Sequence, residues 1–444
     1  MTDATLGAAA PRSAFSAADD RLKKRHRAER LFKAQGIAAI VIAMVFLVVL
    51  VGRIVAQGYT TFEAHTLSVP VYLNPDRIDT SDLSGVNYDY IVAEAVMKKL
   101  GVQDDDLGTV STKVQDLVSR DFGFQLLNKL KADQSLIGKT IEVSGPLKAD
   151  ADLYFKGELK RSTAEGDRKL DNQQLDWLDQ LQKAGAIKSG FNFAFFTNSD
   201  STEPEQAGVL GAVVGSAMML LITALIAVPV GVMAAVYLEE FAPKNRWTDV
   251  IEVNINNLAA VPSIVYGLLG LALFINWLNV PRSSPLVGGL VLALMALPTV
   301  IIATRSALKA VPPSIREAAL GVGASKTQTV FHHVLPLAMP GVMTGAILSL
   351  AHALGETAPL LMIGMVSFVP GVPEGFTGAA TVLPVQVFIW ENASERAFHE
   401  RTAAAIIVLL VFMIVMNAAA VILRRRFERR PAAGADGASA DPAR

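Results

Sequence analysis

The chain has 444 residues, 52% of them hydrophobic and 18% charged, with a mean hydropathy of +0.39. That is too apolar for an ordinary soluble domain, so long apolar runs govern its organisation. A formal net charge of −1 offers no basic excess for nucleic acid, and the absence of cysteine excludes disulfides, thiolate metal sites and a cysteine nucleophile.

Crossing a hydrocarbon core of roughly 30 Å takes about 20 apolar residues. Six stretches qualify: 36–55, 209–238, 258–278, 286–304, 341–366 and 402–423. The first is too long for the apolar part of a signal peptide and no small-residue cleavage site follows it, which predicts an uncleaved anchor. It is preceded, within residues 1–35, by Arg21, Lys23, Lys24, Arg25, Arg27, Arg30 and Lys33, and the last stretch is followed by Arg424, Arg425, Arg426, Arg429 and Arg430. Six spans place both ends on one side, and both ends are basic, which predicts that both are cytoplasmic. Arg305, Lys309, Arg316 and Lys326 then fall inside, and Glu374, Glu391, Glu395 and Glu400 outside.

Residues 56–207 interrupt this pattern with a polar segment of domain size, expected on the extracytoplasmic face. Residues 66–73 alternate like a strand, and 91–100 have helical spacing closed by Gly101. Further short strands are expected at 141–143 and 152–155, and an amphipathic helix at 173–184. The prediction is a small α/β insert. The tail 425–444, rich in Ala, Gly, Pro and Asp, reads as disordered.

No catalytic apparatus is visible. Residues 133–140 read D-Q-S-L-I-G-K-T, which approximates a P-loop but places Asp133 where the first glycine belongs. A carboxylate there repels a phosphate, and Gly138 reads better as a turn before the next strand. The histidines lack zincin spacing, and no Gly-x-Ser-x-Gly elbow is present. Between the fourth and fifth spans, residues 305–336 hold two capping-box patterns, Ser314 to Glu317 and Ser325 to Gln328. Pro312 and Pro313 stop any upstream helix, and Gly321 and Gly323 separate two short helices. Taken alone, the pattern says only that two short helices lie at the surface.

The same loop contains Glu317, Ala318 and Ala319, then Gly323, then Leu335 and Pro336. It resembles the EAA signature of ABC-importer permeases, with His333 standing where that pattern usually has Ile. The resemblance implies a coupling helix that docks on a separate ATPase subunit. Residues 257–267 (N-L-A-A-V-P-S-I-V-Y-G) and 355–361 (G-E-T-A-P-L-L) are similar to motifs of phosphate-importer permeases, the second to the A-type permease. The resemblance runs from about residue 207 to 424. It implies an all-α polytopic membrane protein of the ABC type I importer permease fold, with six transmembrane helices in a core at 208–424. It further implies an ATPase dimer, a second permease subunit, an extracytoplasmic phosphate-binding protein, phosphate as cargo, membrane lipid around the chain, and a bacterial inner-membrane location. ATP and Mg would be bound by the partner ATPase, and no cofactor by this chain. Phosphonate, sulfate or molybdate permeases share the fold and the loop and remain alternatives. An ion-coupled secondary transporter is disfavoured by the scarcity of intramembrane ionisable residues and the lack of repeats.

Candidate residues for a path or gate are Ser263, Arg305, His352, Glu356 and Thr357. Arg305 is either an anion exit contact or a headgroup anchor. His352 and Glu356 lie four apart in the fifth stretch and are therefore expected to stack on one helix face. They are read either as a gate, whose imidazole changes charge near neutral pH, or as a packing pair. The family pattern commonly has arginine at the first of these positions. Pro229, Pro262, Pro298, Pro340 and Pro359 are expected to kink their spans.

Overall fold

The computed structural model describes residues 14–80, 82–105 and 107–428. The first thirteen residues and most of the tail expected to be disordered, from 429 on, lie outside the described residues. The chain forms two units, Met1–Ala56 and Gln57–Arg444.

The first unit is dominated by α1 (Ala14–Gly58), a helix of 45 residues. At 1.5 Å per residue it is about 68 Å long, so the apolar stretch occupies only its C-terminal part. The basic segment before it continues the same helix.

The second unit opens with β1 (Glu63–Tyr72), preceded by a short turn at Tyr59–Phe62. Alternation along β1 sends Leu67, Val69 and Val71 into the core. Helices α2 (Tyr88–Leu100), α3 (Thr109–Gln115) and α4 (Asp121–Ala132) follow. Asn87 caps α2 by accepting the Tyr90 N–H at 3.0 Å, and Gly101, at φ +72°, closes it as expected. Next come β2 (Thr140–Pro146), α5 (Ala149–Phe155), α6 (Asn172–Lys183) and β3 (Ile187–Phe191). The sheet order is β2-β1-β3, antiparallel throughout, with Val69 opposite Val143 and Leu67 opposite Ile187. Leu126, Leu130, Leu175, Leu178 and Trp177 cover its buried face. Residues 152–155 are helical, contrary to the strand expected. Four residues cannot separate period 2 from period 3.6, and here Ala149 and Leu153 are buried on one side of the helix and Ala151 on the other, so burial alternates as it would along a strand.

A short helix, α7 (Phe193–Thr197), leads into the bundle. Among the described residues, five helices are long and apolar enough to cross a membrane. They are α1, α8 (Leu210–Val236, running on to Phe241), α11 (Pro285–Lys309), the helix ending in α14 (Leu335–Gly355), and α17 (Arg396–Glu428). Between α8 and α11 lie α9 (Arg246–Ala259) and α10 (Ser263–Gly270, continuing to Trp277). Between α11 and α14 lie α12 (Pro313–Gly321) and α13 (Lys326–Thr329); α15 (Ala358–Met362) and α16 (Leu383–Glu391) precede α17. Helix α11 lies at the centre, between α8 and α14. Its Gly289 lies so near α8 that a Cβ would come within 2.6 Å of Ile222 Cβ, the close approach small residues permit in membranes.

Two expected spans are broken. The third stretch, 258–278, is not one straight helix, because α9 and α10 meet at a bend of 102°. Pro262 lacks an N–H, and a continued helix would drive its ring into the Leu258 carbonyl. That carbonyl instead accepts the Tyr266 hydroxyl at 2.8 Å. The fifth stretch, 341–366, stops being helical at Gly355, and Glu356 is extended (φ −82°, ψ 114°). Pro359 imposes the same clash on the Gly355 carbonyl. Pro229, Pro298 and Pro340 are accommodated inside continuous helices.

The insert is fixed to the bundle through buried polar groups. Lys156, 4% exposed, sits between Asp152 at 2.8 Å and Glu400 of α17 at 2.9 Å. The Asp152 carboxylate also accepts the His65 backbone N–H at 3.0 Å and lies 2.8 Å from its ring Nδ1. Arg401 donates to the Ala207 carbonyl at 2.7 Å, and Trp390 Nε1 to Asp200 at 2.9 Å.

Candidate functional site

The loop singled out in the sequence forms a knob at the end of the bundle opposite the insert. Helix α8 has the insert at its first turn and the knob beside its last, about 40 Å away for 27 residues. Pro312 and Pro313 begin α12, with Pro313 in the first turn where its missing N–H costs nothing. Ser314 is therefore inside the helix and makes no cap bond; the capping box expected from Ser314 to Glu317 does not form. The box from Ser325 to Gln328 does form, with reciprocal bonds of 3.3 and 2.9 Å. Helix α13 is not a separate short helix. It is the first turn of a continuous helix Lys326–Gly355, interrupted by a π-helical segment Val330–Val334 that contains His333.

On α12, Ala319 is buried, whereas Glu317 and Ala318 face outward beside Leu320, and Val322, just past the helix, is 86% exposed. Gly323 is exposed at φ +89°, Leu335 is half-buried and Pro336 is exposed. No atom lies within 4 Å of where a Gly323 Cβ would project, so the turn is not crowded. The glycine is required by backbone conformation alone. Gly323→Val is accordingly expected to cost about 1–2 kcal/mol through left-handed strain, and Ser314→Ala less than about 0.5 kcal/mol, as at an uncapping surface site. Thermal unfolding of the purified variants measures both.

The knob is clasped to the bundle by groups the sequence reading did not connect. After α8, Tyr237–Phe241 is π-helical and presents Glu239 and Glu240 in succession. Arg316 of α12 grips Glu240 with Nη2–Oε1 at 2.6 Å and Nε–Oε1 at 3.2 Å, and also donates to the Val311 and Leu308 carbonyls at 2.8 and 2.9 Å. The guanidinium thus joins the knob to the ends of α8 and α11. Lys326 adds a cation–π contact over Phe241 at 5.5 Å. The available signal was two carboxylates ending an apolar run, with Arg316 and Lys326 in the loop.

Arg305 is not an open cation. It lies 3.3 Å from Glu239 and 2.9 Å from Glu252 of α9, with its side chain 13% exposed. Both readings of this residue, anion contact and headgroup anchor, give way to an internal tie between α11, the π segment and α9.

The other candidates gather at the two helix breaks. His352 is exposed in the last turn of α14, with Nε2 3.5 Å from Glu356 Oε1. Glu356 lies beyond the helix end, so the pair spans a break and does not sit on a continuous face. Thr357 precedes α15, and Ser263 is the first residue of α10. Helices α10 and α15 touch closely: a Cβ on Gly267 would fall 2.7 Å from Pro359 Cα. The P-loop look-alike in the insert is a turn. Asp133 accepts the Ser135 N–H at 2.9 Å, and Gly138, at φ +81°, leads into β2. The hydroxyl and N–H of Ser135 hold the Asp133 carboxyl below the usual range, a fixed negative charge where a phosphate would have to sit.

Residues 227–432 match the family described as binding-protein-dependent transport system inner membrane component. Residues 19–165 match a domain of unknown function, DUF3333, which covers α1 and most of the insert. The chain is 37% identical over 174 residues to the probable ABC transporter permease protein YqgI of Bacillus subtilis, covering 39% of this chain and 58% of that protein. It is 40% identical over 162 residues to the phosphate transport system permease protein PstA 1 of Mycobacterium tuberculosis (strain CDC 1551 / Oshkosh), covering 36% and 53%. With the PstA protein of Yersinia pestis it shares 33% identity over 196 residues, covering 43% and 65%. The chain thus spans between about half and two thirds of the length of these relatives. A solved structure of the MetNI methionine ABC transporter, inward-facing, matches at 18% identity over 49% of this chain and 94% of that one. Its TM-score of 0.41 is too low to carry an argument. The match to an inner membrane component, together with five helices among the described residues that are long and apolar enough to cross a membrane, makes this a multi-pass membrane protein.

Proposed function

We propose that the chain is the membrane-spanning permease subunit of an ATP-driven importer and forms part of the path for inorganic phosphate. The observation that carries this is the knob. Glu317, Ala318 and the Leu320–Val322 surface face outward for a partner, while Arg316 ties the same helix to the ends of α8 and α11 and Ala319 is buried. An ATPase dimer, binding ATP and Mg, docks there and moves the knob. A second permease subunit completes the path, and a soluble phosphate-binding protein delivers the anion on the insert side. Both termini and the knob are cytoplasmic, following the basic residues that flank the spans. Phosphate is favoured over phosphonate, sulfate or molybdate by the named PstA relatives.

Ser263, His352, Glu356 and Thr357, at the breaks where helices can flex, are assigned to the path. The assay is ATP-dependent uptake of labelled phosphate into vesicles holding the co-purified complex, with sulfate, molybdate and a phosphonate as competitors. Phosphate uptake unaffected by the competitors is expected; uptake of another oxyanion in its place overturns the substrate. In the same assay, Glu356→Gln is expected to lower uptake about tenfold or more, about 1.4 kcal/mol in the barrier, with the complex still assembled. Normal uptake by this variant removes the pair from the path.

A further inference from the structure

Among the described residues of the insert, exposed large apolar side chains are few. Tyr72, Leu107 and Phe124 occur singly, while Tyr59, Phe191, Phe193 and Phe196 fall on two short segments that meet. Singly exposed apolar residues need no explanation, but a contiguous patch does.

Phe191, Phe193 and Phe196 form the outer end of an aromatic ladder. Phe62 stacks on Phe196 with centroids 5.7 Å apart, and Phe196 on Phe191 at 5.8 Å with rings 4° from parallel. Phe193 meets Phe191 edge-on at 4.9 Å. At its inner end the ladder is buried: Phe195 packs on Phe62 at 5.9 Å and approaches Trp390 at 6.4 Å. Phe62 and Phe195 belong to the apolar cluster that also holds Val209 and Ala212 of the α8 entrance and Ala404 and Ala405 of α17. The ladder therefore starts within the bundle and ends in three rings that no described residue covers, Phe193 being 69% exposed and Phe191 55%.

Its height relative to the span is fixed. The Val209 N–H donates to the Phe195 carbonyl at 2.9 Å, and the Leu210 N–H to the Asn198 carbonyl at 3.0 Å, so α7 sits directly on the first turn of α8. The other segment is held by the Asn192 N–H on the Phe62 carbonyl at 2.8 Å, and by the Asn192 side chain on the Thr61 carbonyl at 2.9 Å. The polar residues Lys188 and Ser189 precede the rings along β3, on the side away from the span.

We infer that Phe191, Phe193 and Phe196 seat the insert in the lipid interface of the leaflet on its own side. The argument is continuity: the patch extends the bundle's apolar interior sideways at the level where α8 enters the membrane, and aromatic rings favour that interface. The inference is independent of the transported substrate. It gives the insert a fixed height on the bilayer and makes lipid one of its binding partners.

The test uses the full-length chain in phosphatidylethanolamine–phosphatidylglycerol vesicles containing lipid brominated on the upper acyl carbons. Phe193→Trp adds one indole to the four native tryptophans, read as the difference from the parent. The expected result is blue-shifted emission that loses most of its intensity to brominated lipid and little to aqueous acrylamide. Phe191→Trp should behave alike, so the test does not depend on one variant folding. Tyr72→Trp, nine residues along β1 and about 30 Å from its start, should show the reverse. Quenching by acrylamide alone at position 193 overturns the inference. So does blue-shifted emission quenched by neither agent, which would place a protein partner over the rings, and so does equal bromine quenching at positions 193 and 72.

Discussion

Replacing Lys156 with methionine is expected to destabilise the insert by about 3–5 kcal/mol, the range for removing one partner from a buried ion pair. The ammonium is 4% exposed between Asp152 and Glu400, whose side chains are 13% and 10% exposed. Without it, two largely buried carboxylates lose the ammonium between them, and His65 remains beside Asp152. In the native protein, burial pushes the Asp152 carboxyl up, but the His65 and Lys156 donors outweigh it and hold the group below its usual range. A depressed folded value stabilises above the unfolded one, about 3.9, and that contribution is lost as pH falls through the folded value. Glu205, raised by burial, works in the opposite sense and gains as pH falls. In Lys156→Met the Asp152 contribution should reverse, since burial then acts with one donor fewer. The variant should recover stability on acidification where the parent loses it. Amide hydrogen exchange along β1 and α5 across that range measures this. Parallel pH profiles for the two proteins would show that Lys156 is not the group holding the site.

The second large effect is expected at Arg316. Arg316→Met leaves Glu240, 9% exposed, without its arginine and takes the guanidinium donor from the Val311 and Leu308 carbonyls, the second of which keeps the Val311 N–H at 3.2 Å. About 3 kcal/mol is expected, the lower end for a broken buried pair because the arginine side is 24% exposed. Adding Glu240→Gln should recover part of the loss, since a neutral amide tolerates burial better than an unpaired carboxylate. If the two substitutions add within about 0.5 kcal/mol, they do not act as a pair. In the importer proposed above, the single variant should retain ATP hydrolysis while phosphate uptake falls, because the knob would move without pulling α8 and α11. Equal loss of both activities would mean that the clasp only supports folding.

What was legible in the sequence follows from the range of each signal. The apolar runs marked α8, α11 and α17 because hydropathy averages over many residues. The same averaging read through Pro262 and Pro359, where hydropathy continues but the backbone does not. Helix α2 was legible because its stop, Gly101, is local. β3 was missed because only Ile187 of its five residues is buried, leaving no alternation to detect. Ser314 misled because the capping pattern ignores a proline at the next-to-first position, which had already fixed the helix start at Pro313. The loop residues Glu317 and Gly323 were marked by motif. The partners that hold the loop, Glu239 and Glu240, lie 66 to 76 residues from theirs, and no spacing rule connects them.

The sheet order β2-β1-β3 makes the insert a cassette. Because β1 is central and β3 pairs along its first half, the strand that enters and the strand that leaves lie side by side, Glu63 opposite Phe191. The Asn192 N–H already touches the Phe62 carbonyl at 2.8 Å. A chain cut after Phe62 and rejoined at Asn192 would therefore need a bridge of only a residue or two, with no helix of the bundle displaced. Such a graft would not be neutral, since Glu400 would lose the lysine that neutralises it, and a well-behaved bundle without the cassette would carry glutamine there. The acidic side chain at position 400 is thus a socket for the cassette, recording its presence in a helix more than two hundred residues away along the chain.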